Sequence, residues 1–218
     1  MVAERERGLR DETLAAAPAV RWPAREHAAA YLISGVRGAG KSTVARLLAL
    51  HFDQAAHIDI DMIFHHFTVT GLAQPGAPTE DAARQAELAA ANAGALARNY
   101  VAAGYVCVLE GAVATRREVQ ACQDALAPYL LRLVVLAPPA EISDQRDAQR
   151  SGKQVARYFR HVAPLLATEL GGTGQWIDNS QQSPLDTVRV ILSGNKGTGE
   201  RGGPGGQRQR PSWFPGQP

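Results

Sequence analysis

The stretch Tyr31-Leu32-Ile33-Ser34-Gly35-Val36-Arg37-Gly38-Ala39-Gly40-Lys41-Ser42-Thr43-Val44-Ala45-Arg46-Leu47-Leu48 decides the fold. It opens as an apolar run of strand length, passes through three glycines and closes with apolar residues at helical spacing. Gly35 to Ser42 fits G-x-x-x-x-G-K-[ST], the phosphate-binding loop, and the flanking strand and helix are the context that motif requires. Glycines let the backbone wrap closely around an anion, so that successive N–H groups point inward. The start of the following helix adds partial positive charge at the same point. Gly35, Val36, Arg37, Gly38, Ala39, Gly40, Lys41, Ser42 and Thr43 are therefore expected to cradle the phosphates of a nucleotide. Lys41 is expected to reach the β- and γ-phosphates, and the Ser42 hydroxyl to ligate Mg²⁺. The loop alone does not say where a γ-phosphate goes.

Outward from this loop the chain alternates short apolar runs with longer helical segments. Residues 29–34 read as a first strand and 41–53 as a helix. Ala56 to Asp61 reads as a second strand with an acidic end. Thr79 is expected to cap a long alanine-rich helix that Gly104 stops, with Glu80 and Asp81 favouring its dipole. Tyr105 to Leu109 is continuously apolar, the mark of a strand buried on both faces, and ends in Glu110-Gly111. Further strands are expected at Leu131–Leu136 and Gln175–Asp178, and further helices at 115–126, 140–151, 153–169 and 184–192. Alternation of this kind implies an α/β domain with a parallel sheet and right-handed crossovers.

Composition limits the alternatives. The chain has 218 residues, enough for one such domain with ragged ends. The division expected is a peripheral arm at 1–27, the domain at 28–193, and a tail at 194–218 whose Gly, Pro, Gln and Arg cannot bury enough apolar surface to order it. A net charge of +2 implies no strong nucleic-acid or membrane field, so neither is an expected partner. No apolar run approaches the roughly 18 residues of a membrane span. The charged start, Glu4 to Arg7, lacks a following signal-type core, so a cytoplasmic protein is expected. Cys107 and Cys122 have neither metal nor redox spacing and read as buried free thiols.

Ligands of open parallel sheets sit beyond the carboxyl ends of the strands. That rule gathers the phosphate loop, Asp59, Asp61, Glu110 and the segment after Pro138. Asp59 and Asp61 alternate along a strand end, which directs both carboxylates to one side. One is suited to hold Mg²⁺ and the other to take the proton of an acceptor hydroxyl. Glu110 is placed either to hold a metal-bound water or to bind the acceptor, and Gly111 beside it allows close approach of a ligand. Arg146 and Arg150, four apart on one helical face, are placed to neutralise charge on a transferred phosphoryl group, with Ser151-Gly152 as a hinge. Arg116 and Arg117 read as a surface pair, and the adjacent His65 and His66 are poorly spaced for one metal.

GVRGAGKST, followed by Asp59-Ile60-Asp61, resembles the shikimate kinase, gluconate kinase and chloramphenicol phosphotransferase branch of the P-loop kinases. The resemblance covers about residues 29–193, with only the phosphate loop highly specific. It implies a three-layer P-loop NTPase fold, a five-stranded parallel sheet in the order 2-3-1-4-5 and a helical lid. It implies an ATP-dependent phosphotransferase with ATP and Mg²⁺ as cofactors and a small-molecule hydroxyl acceptor. Residue by residue, Lys41 and Asp61 would be catalytic, with Asp61 the candidate base or ligand of the acceptor hydroxyl, and Asp59 would stand on the metal side. Arg146 and Arg150 would be lid arginines, and Asp178-Asn179-Ser180 would lie near the adenine, with Asn179 in contact. The third strand ends Leu109-Glu110-Gly111-Ala112, without the glycine triplet of shikimate kinases, and Met62 to His66 departs from the gluconate kinase continuation. Neither named substrate carries over.

Three other classes compete. A nucleoside-monophosphate kinase needs arginines for its acceptor phosphate, and only Arg84, Arg98, Arg116 and Arg117 are candidates. A GTPase needs Asn-Lys-x-Asp, which Asn195-Lys196-Gly197-Thr198 lacks. A nucleotide-binding adaptor would bind ATP without acceptor-dependent release of ADP.

Overall fold

The computed structural model describes residues 30–73, 79–149 and 162–194. Five strands form one sheet: β1 (Ala30–Gly35), β2 (Ala55–Asp59), β3 (Val106–Glu110), β4 (Leu131–Leu136) and β5 (Gln175–Ile177). Their order is β2-β3-β1-β4-β5, and every pairing is parallel. This is the order expected. β1 and β3 are buried along their whole length, as their unbroken apolar runs require.

The helices are α1 (Lys41–Leu50), α2 (Ile60–Met62, continued by a π-helical turn at Ile63–Phe67), α3 (Glu80–Ala102), α4 (Arg116–Leu126), α5 (Ala140–Ala148), α6 (Val162–Leu170) and α7 (Pro184–Ser193). Local chemistry sets their starts. Thr79, Thr115 and Ser183 each accept a hydrogen bond from a backbone N–H in the first turn of α3, α4 and α7. Gly104 follows α3 at φ 90°, in the left-handed conformation that ends a helix cheaply. The arm and the tail, together with residues 150–161 of the helices expected at 140–151 and 153–169, lie outside the described residues.

The sheet separates two apolar layers. One face carries Leu32, Ile58, Cys107, Leu109, Leu133 and Val135 against α3, α4 and α6. The other carries Tyr31, Ile33, Val106, Val108, Val134 and Leu136 against α1 and α7. Burying each of these larger side chains contributes on the order of 1.5–3 kcal/mol. The alanines that dominate α3 have a packing role. Ala89, Ala90, Ala93 and Ala97 are buried, and their small size lets α3 lie close against α4 and its Cys122 and Leu126. Both cysteines are free and buried, and burial pushes their thiols up to about 11 for Cys107 and about 12 for Cys122, so they are inert packing groups. Among the described residues no helix is long and apolar enough to cross a membrane.

The strand register positions the chemistry. Asp59 lies opposite Glu110, and Glu110 opposite Ile33, two residues before Gly35. The carboxyl ends of β2, β3 and β1 thus bring two acids and the phosphate loop to one edge of the sheet.

Candidate active site

The phosphate loop leaves β1 at Gly35 and enters α1 through Gly40, whose φ of 92° precedes the first helical residue, Lys41. Gly38 has φ 79°, and a β-carbon there would run into the Ser143 carbonyl of α5. That position therefore accepts only glycine. The first turn of α1 carries no acidic residue, so nothing in it offsets the positive end of the helix dipole. Inside the loop Ala39 N–H donates to the Val36 carbonyl at 3.2 Å, and Lys41 Nζ reaches the same carbonyl at 3.2 Å. Arg37 Nε donates to Asp147 Oδ1 of α5 at 2.9 Å. From the other side Asn179 Nδ2 donates to the Ala39 carbonyl at 2.9 Å. Arg146 donates to the carbonyls of Asn179 and Ser180 at 3.0 and 3.4 Å. Elements far apart in sequence thus fix the position of the loop.

Two cavities flank it. One of about 380 Å³ is lined by Gly40, Thr43, Arg146, Gln149, Asn179 and Pro184, among others. It has the size and the mixed lining of a nucleoside site, beside the segment after β5. The other, about 130 Å³, is lined by Arg37, Lys41, Ser42, Asp59, Asp61 and Glu110, with the backbone of Gly38 and Gly40. Its lining is almost wholly polar and carries both charges. Lys41, Ser42, Asp59, Asp61 and Glu110 are thus brought together, Arg146 and Asn179 stand on the nucleoside side, and Arg150 lies outside the described residues.

The acidic pair reaches this cavity by a route other than strand alternation. β2 stops at Asp59, whose Oδ1 accepts from Met62 N–H at 3.1 Å and so caps α2, and Asp61 stands in the first turn of that helix. Aspartate competes for local backbone donors, and here that competition ends the strand one residue before Ile60. Gly111 also has a different role from the one expected. A β-carbon there would lie 3.0 Å from Ile60 Cβ, so the glycine makes room for α2 and not for a ligand.

Glu110 is 3% exposed. Burial pushes its pKa above 4.5, with Asp59 and Asp61 adding to the rise, while a hydrogen bond from Ser42 and the Lys41 charge oppose it. His57, two residues before Asp59 on β2, places Nε2 3.9 Å from Glu110 Oε1. Burial and Arg46 lower the His57 pKa, and Asp59 opposes them, so the imidazole is neutral at pH 7. Among the described residues no group of three or more His, Cys, Asp or Glu side chains is arranged to hold a metal alone. The donor set fits Mg²⁺ in another way: one or two carboxylates, a hydroxyl and phosphate oxygens, which is how Mg²⁺ binds with nucleotides. Ser42, Asp59 and Glu110 would supply the protein part.

Three residues of this arrangement were not singled out from the sequence: Asp147, Ser143 and His57. Asp147 and Ser143 lie beside the Arg146 that was, but their partner is the phosphate loop, and only the fold brings the two together. The surface readings agree with the structure. Arg117 pairs with Glu80 and Glu87 across α3 and α4. Arg116 donates to the Glu169 carbonyl, and His65 and His66 are exposed in the π-helical turn.

No curated protein matches the chain in sequence. Among solved structures it is similar to an unliganded sugar kinase from Janibacter sp., at 20% identity over 75% of this chain and 92% of that one, with a TM-score of 0.61. It is similar to the tunicamycin resistance protein of Deinococcus radiodurans, at 15% identity over 77% and 95%, with a TM-score of 0.57. A gluconokinase from Sinorhizobium meliloti matches at 16% identity over 77% and 91%, with a TM-score of 0.53. At such identities the likeness is one of fold, and that fold is the one shared by P-loop small-molecule kinases. The zeta toxin model matches residues 14–170, most of the described domain and the segment leading into it. The chain therefore belongs to the zeta toxin family, on a P-loop kinase fold.

Proposed function

We propose that the protein transfers the γ-phosphate of ATP to a hydroxyl group of a small molecule, with Mg²⁺ as cofactor. One observation carries this reading: the small polar cavity holding Lys41, Ser42, Asp59, Asp61 and Glu110 adjoins a nucleoside-sized cavity across the phosphate loop. Donor phosphates entering from the larger cavity reach the acids in the smaller one.

The roles follow from position. The loop amides and the α1 N-terminus hold the phosphates, and Lys41 leaves the Val36 carbonyl to neutralise the β- and γ-oxygens. Bound Mg²⁺ would supply charge neutralisation and geometry at those oxygens. Ser42, Asp59 and Glu110 would hold it. Asp61, the exposed member of the pair whose other carboxylate, Asp59, is engaged by Met62 N–H, takes the proton of the acceptor hydroxyl. Arg146 contributes positive charge from α5, with Arg150 as its proposed companion. Most of the rate comes from positioning and charge neutralisation.

An acceptor without a phosphate of its own suits the arginines. Arg84 pairs with Asp81, Arg117 with Glu80 and Glu87, and Arg116 with the Glu169 carbonyl. With these three engaged and Arg98 exposed on α3, a hydroxyl acceptor without a phosphate of its own is favoured over a nucleoside monophosphate. A small metabolite, in the cytoplasm, and neither nucleic acid nor membrane, is the partner we infer. The kinases of similar fold include a sugar kinase and a gluconokinase, so sugars and sugar acids head the panel of acceptors. The test is ADP release across sugars, nucleosides, aminoglycosides and other hydroxylated metabolites, with Lys41→Ala as control. Acceptor-stimulated release that the Lys41→Ala variant lacks supports the reading. Normal ATP binding with no stimulation by any acceptor overturns it in favour of a nucleotide-binding adaptor.

A further inference from the structure

His57 is the one histidine on a sheet strand beside the acids, and the roles above do not use it. β2 and β3 run parallel with Asp59 opposite Glu110 and His57 opposite Val108. Strand alternation puts His57, Asp59, Val108 and Glu110 on the sheet face that α1 covers. The His57 side chain is 24% exposed overall, but its Nε2 is buried and has no hydrogen-bond partner among the described residues. The polar atom it faces is Glu110 Oε1, 3.9 Å away, on a side chain 4% exposed. Leaving a buried donor or acceptor unpaired costs on the order of 1–3 kcal/mol, so the geometry favours closure of this gap. At 3.9 Å the pair is inside ion-pair range and short of hydrogen-bond contact. Glu110 also interacts with the Ser42 hydroxyl. The carboxyl group is thus placed between the metal-side hydroxyl and an imidazole. Arg46 of α1, Asp59, Asp61 and Lys41 are the other charged groups around them.

We infer that His57 is a positioning residue, whose Nε2 holds the Glu110 carboxyl group in the orientation that aims it at Ser42 and the metal. This rests on the reading of Ser42 and Glu110 as the metal side of a phosphotransferase site. Carboxylates that ligate metals are commonly fixed by a second hydrogen bond, and loss of that bond weakens metal binding. His57 supplies it from the strand beside Glu110, where the backbone of β2 allows little movement.

Two substitutions separate positioning from packing. His57→Phe keeps the ring and removes the donor. His57→Gln removes the ring and keeps an N–H donor at similar reach. Mn²⁺ binding is titrated by electron paramagnetic resonance in the full chain with a non-hydrolysable ATP analogue, and binding of the analogue without metal is measured beside it. The expected result is an Mn²⁺ affinity about tenfold weaker in His57→Phe, with His57→Gln retained and metal-free nucleotide binding the same in all three proteins. In a Glu110→Gln background, His57→Phe is expected to add no further loss. Unchanged Mn²⁺ affinity in His57→Phe, or His57→Gln as weak as His57→Phe, overturns the assignment. If His57→Phe melts early, His57→Asn replaces it, with a donor too short to reach Glu110, and the same loss is expected. The acceptor screen fails independently. No turnover with the Mn²⁺ pattern intact rejects the kinase reading and keeps His57 in its role; turnover with Mn²⁺ affinity indifferent to residue 57 does the reverse.

Discussion

Arg37 of the phosphate loop and Asp147 of α5 form a hydrogen-bonded ion pair at 2.9 Å, across 110 positions of sequence. Their surroundings are unequal: the Asp147 side chain is 6% exposed and that of Arg37 39%. The two halves of the pair therefore differ in what their loss leaves behind. Arg37→Ala strands a buried carboxylate, whereas Asp147→Ala leaves a guanidinium that water can reach. The half-exposed arginine moderates the cost of breaking a fully buried pair, so Arg37→Ala is expected to lose about 1–3 kcal/mol of stability. Asp147→Ala is expected to lose less. Urea unfolding of both variants measures the ranking, and a larger loss for Asp147→Ala would refute it. Both variants are expected to bind ATP more weakly, since the pair ties the loop to α5.

Gly38 makes a sharper demand on the same contact. Its positive φ and the Ser143 carbonyl against it leave no room for a methyl group. Gly38→Ala must move the loop or α5, and either movement disturbs the phosphate site. Gly71 is a useful comparison, with φ 78° and, among the described residues, no atom within 4 Å of a β-carbon placed there. Gly71→Ala is expected to cost only the left-handed backbone penalty, about 1–2 kcal/mol, with ATP affinity intact. Gly38→Ala is expected to lose ATP affinity as well, by about tenfold or more at 1.4 kcal/mol per decade. Calorimetric titration with ATP decides it: equal affinities in the two variants would show that the loop tolerates the clash.

How much of this was legible in the sequence depends on how local each cause is. The loop and the starts of α3, α4 and α7 rest on motifs a few residues long, in which glycine spacing or a capping threonine or serine carries its own geometry, whereas the strand order follows only from the family resemblance. Asp59-Ile60-Asp61 fits two local outcomes, a strand with both acids on one face or a strand ended by a capping aspartate. The backbone N–H of Met62 decides for the second. Gly111 next to an acid reads as room for a ligand until Ile60 is seen to fill it. The Arg37–Asp147 and His57–Glu110 pairs leave no trace in the sequence, because packing of distant segments alone defines them. Of the two expected lid arginines Arg146 is placed on α5, and Arg150 falls outside the described residues.

Asp61 and Ser42 line the same cavity but are assigned different work, and substitution separates them. Asp61→Asn keeps shape and most hydrogen bonding while removing the proton acceptor. Turnover with the best acceptor is expected to fall by about 10²- to 10⁴-fold, the usual worth of a general base. Affinity for ATP with Mg²⁺ is expected to remain. Ser42→Ala is expected to do the converse, raising the Mg²⁺ concentration needed for ATP binding. Steady-state kinetics beside calorimetry tests the split. If Asp61→Asn loses metal-dependent ATP binding, Asp61 belongs to the metal.

Glu118 predicts how stability depends on pH away from the site. It sits in the first turn of α4, and its carboxylate accepts from Ala114 N–H at 2.8 Å while its own N–H donates to Thr115 Oγ1 at 3.2 Å. This is the reciprocal arrangement of a capping box, displaced by one residue on the carboxylate side. Burial raises the Glu118 pKa above 4.5, against the hydrogen bonds from Ala114 and Thr115, and the Glu87 carboxylate raises it further. Between 4.5 and the raised value the native protein keeps a proton that the unfolded chain has released. The unfolded state binds fewer protons there, so stability falls as pH rises through the window. Below it, both states are protonated and the contribution is whole. Glu118→Gln removes the titration and keeps an oxygen for the Ala114 N–H. Its melting temperature relative to the parent is therefore expected to rise as the pH climbs past 4.5 and to level off once the raised value is passed. Glu87→Gln, which removes the neighbouring charge, is expected to reduce that rise. A Glu118→Gln variant that loses ground as pH increases would show that the hydrogen bonds to the carboxylate outweigh its burial.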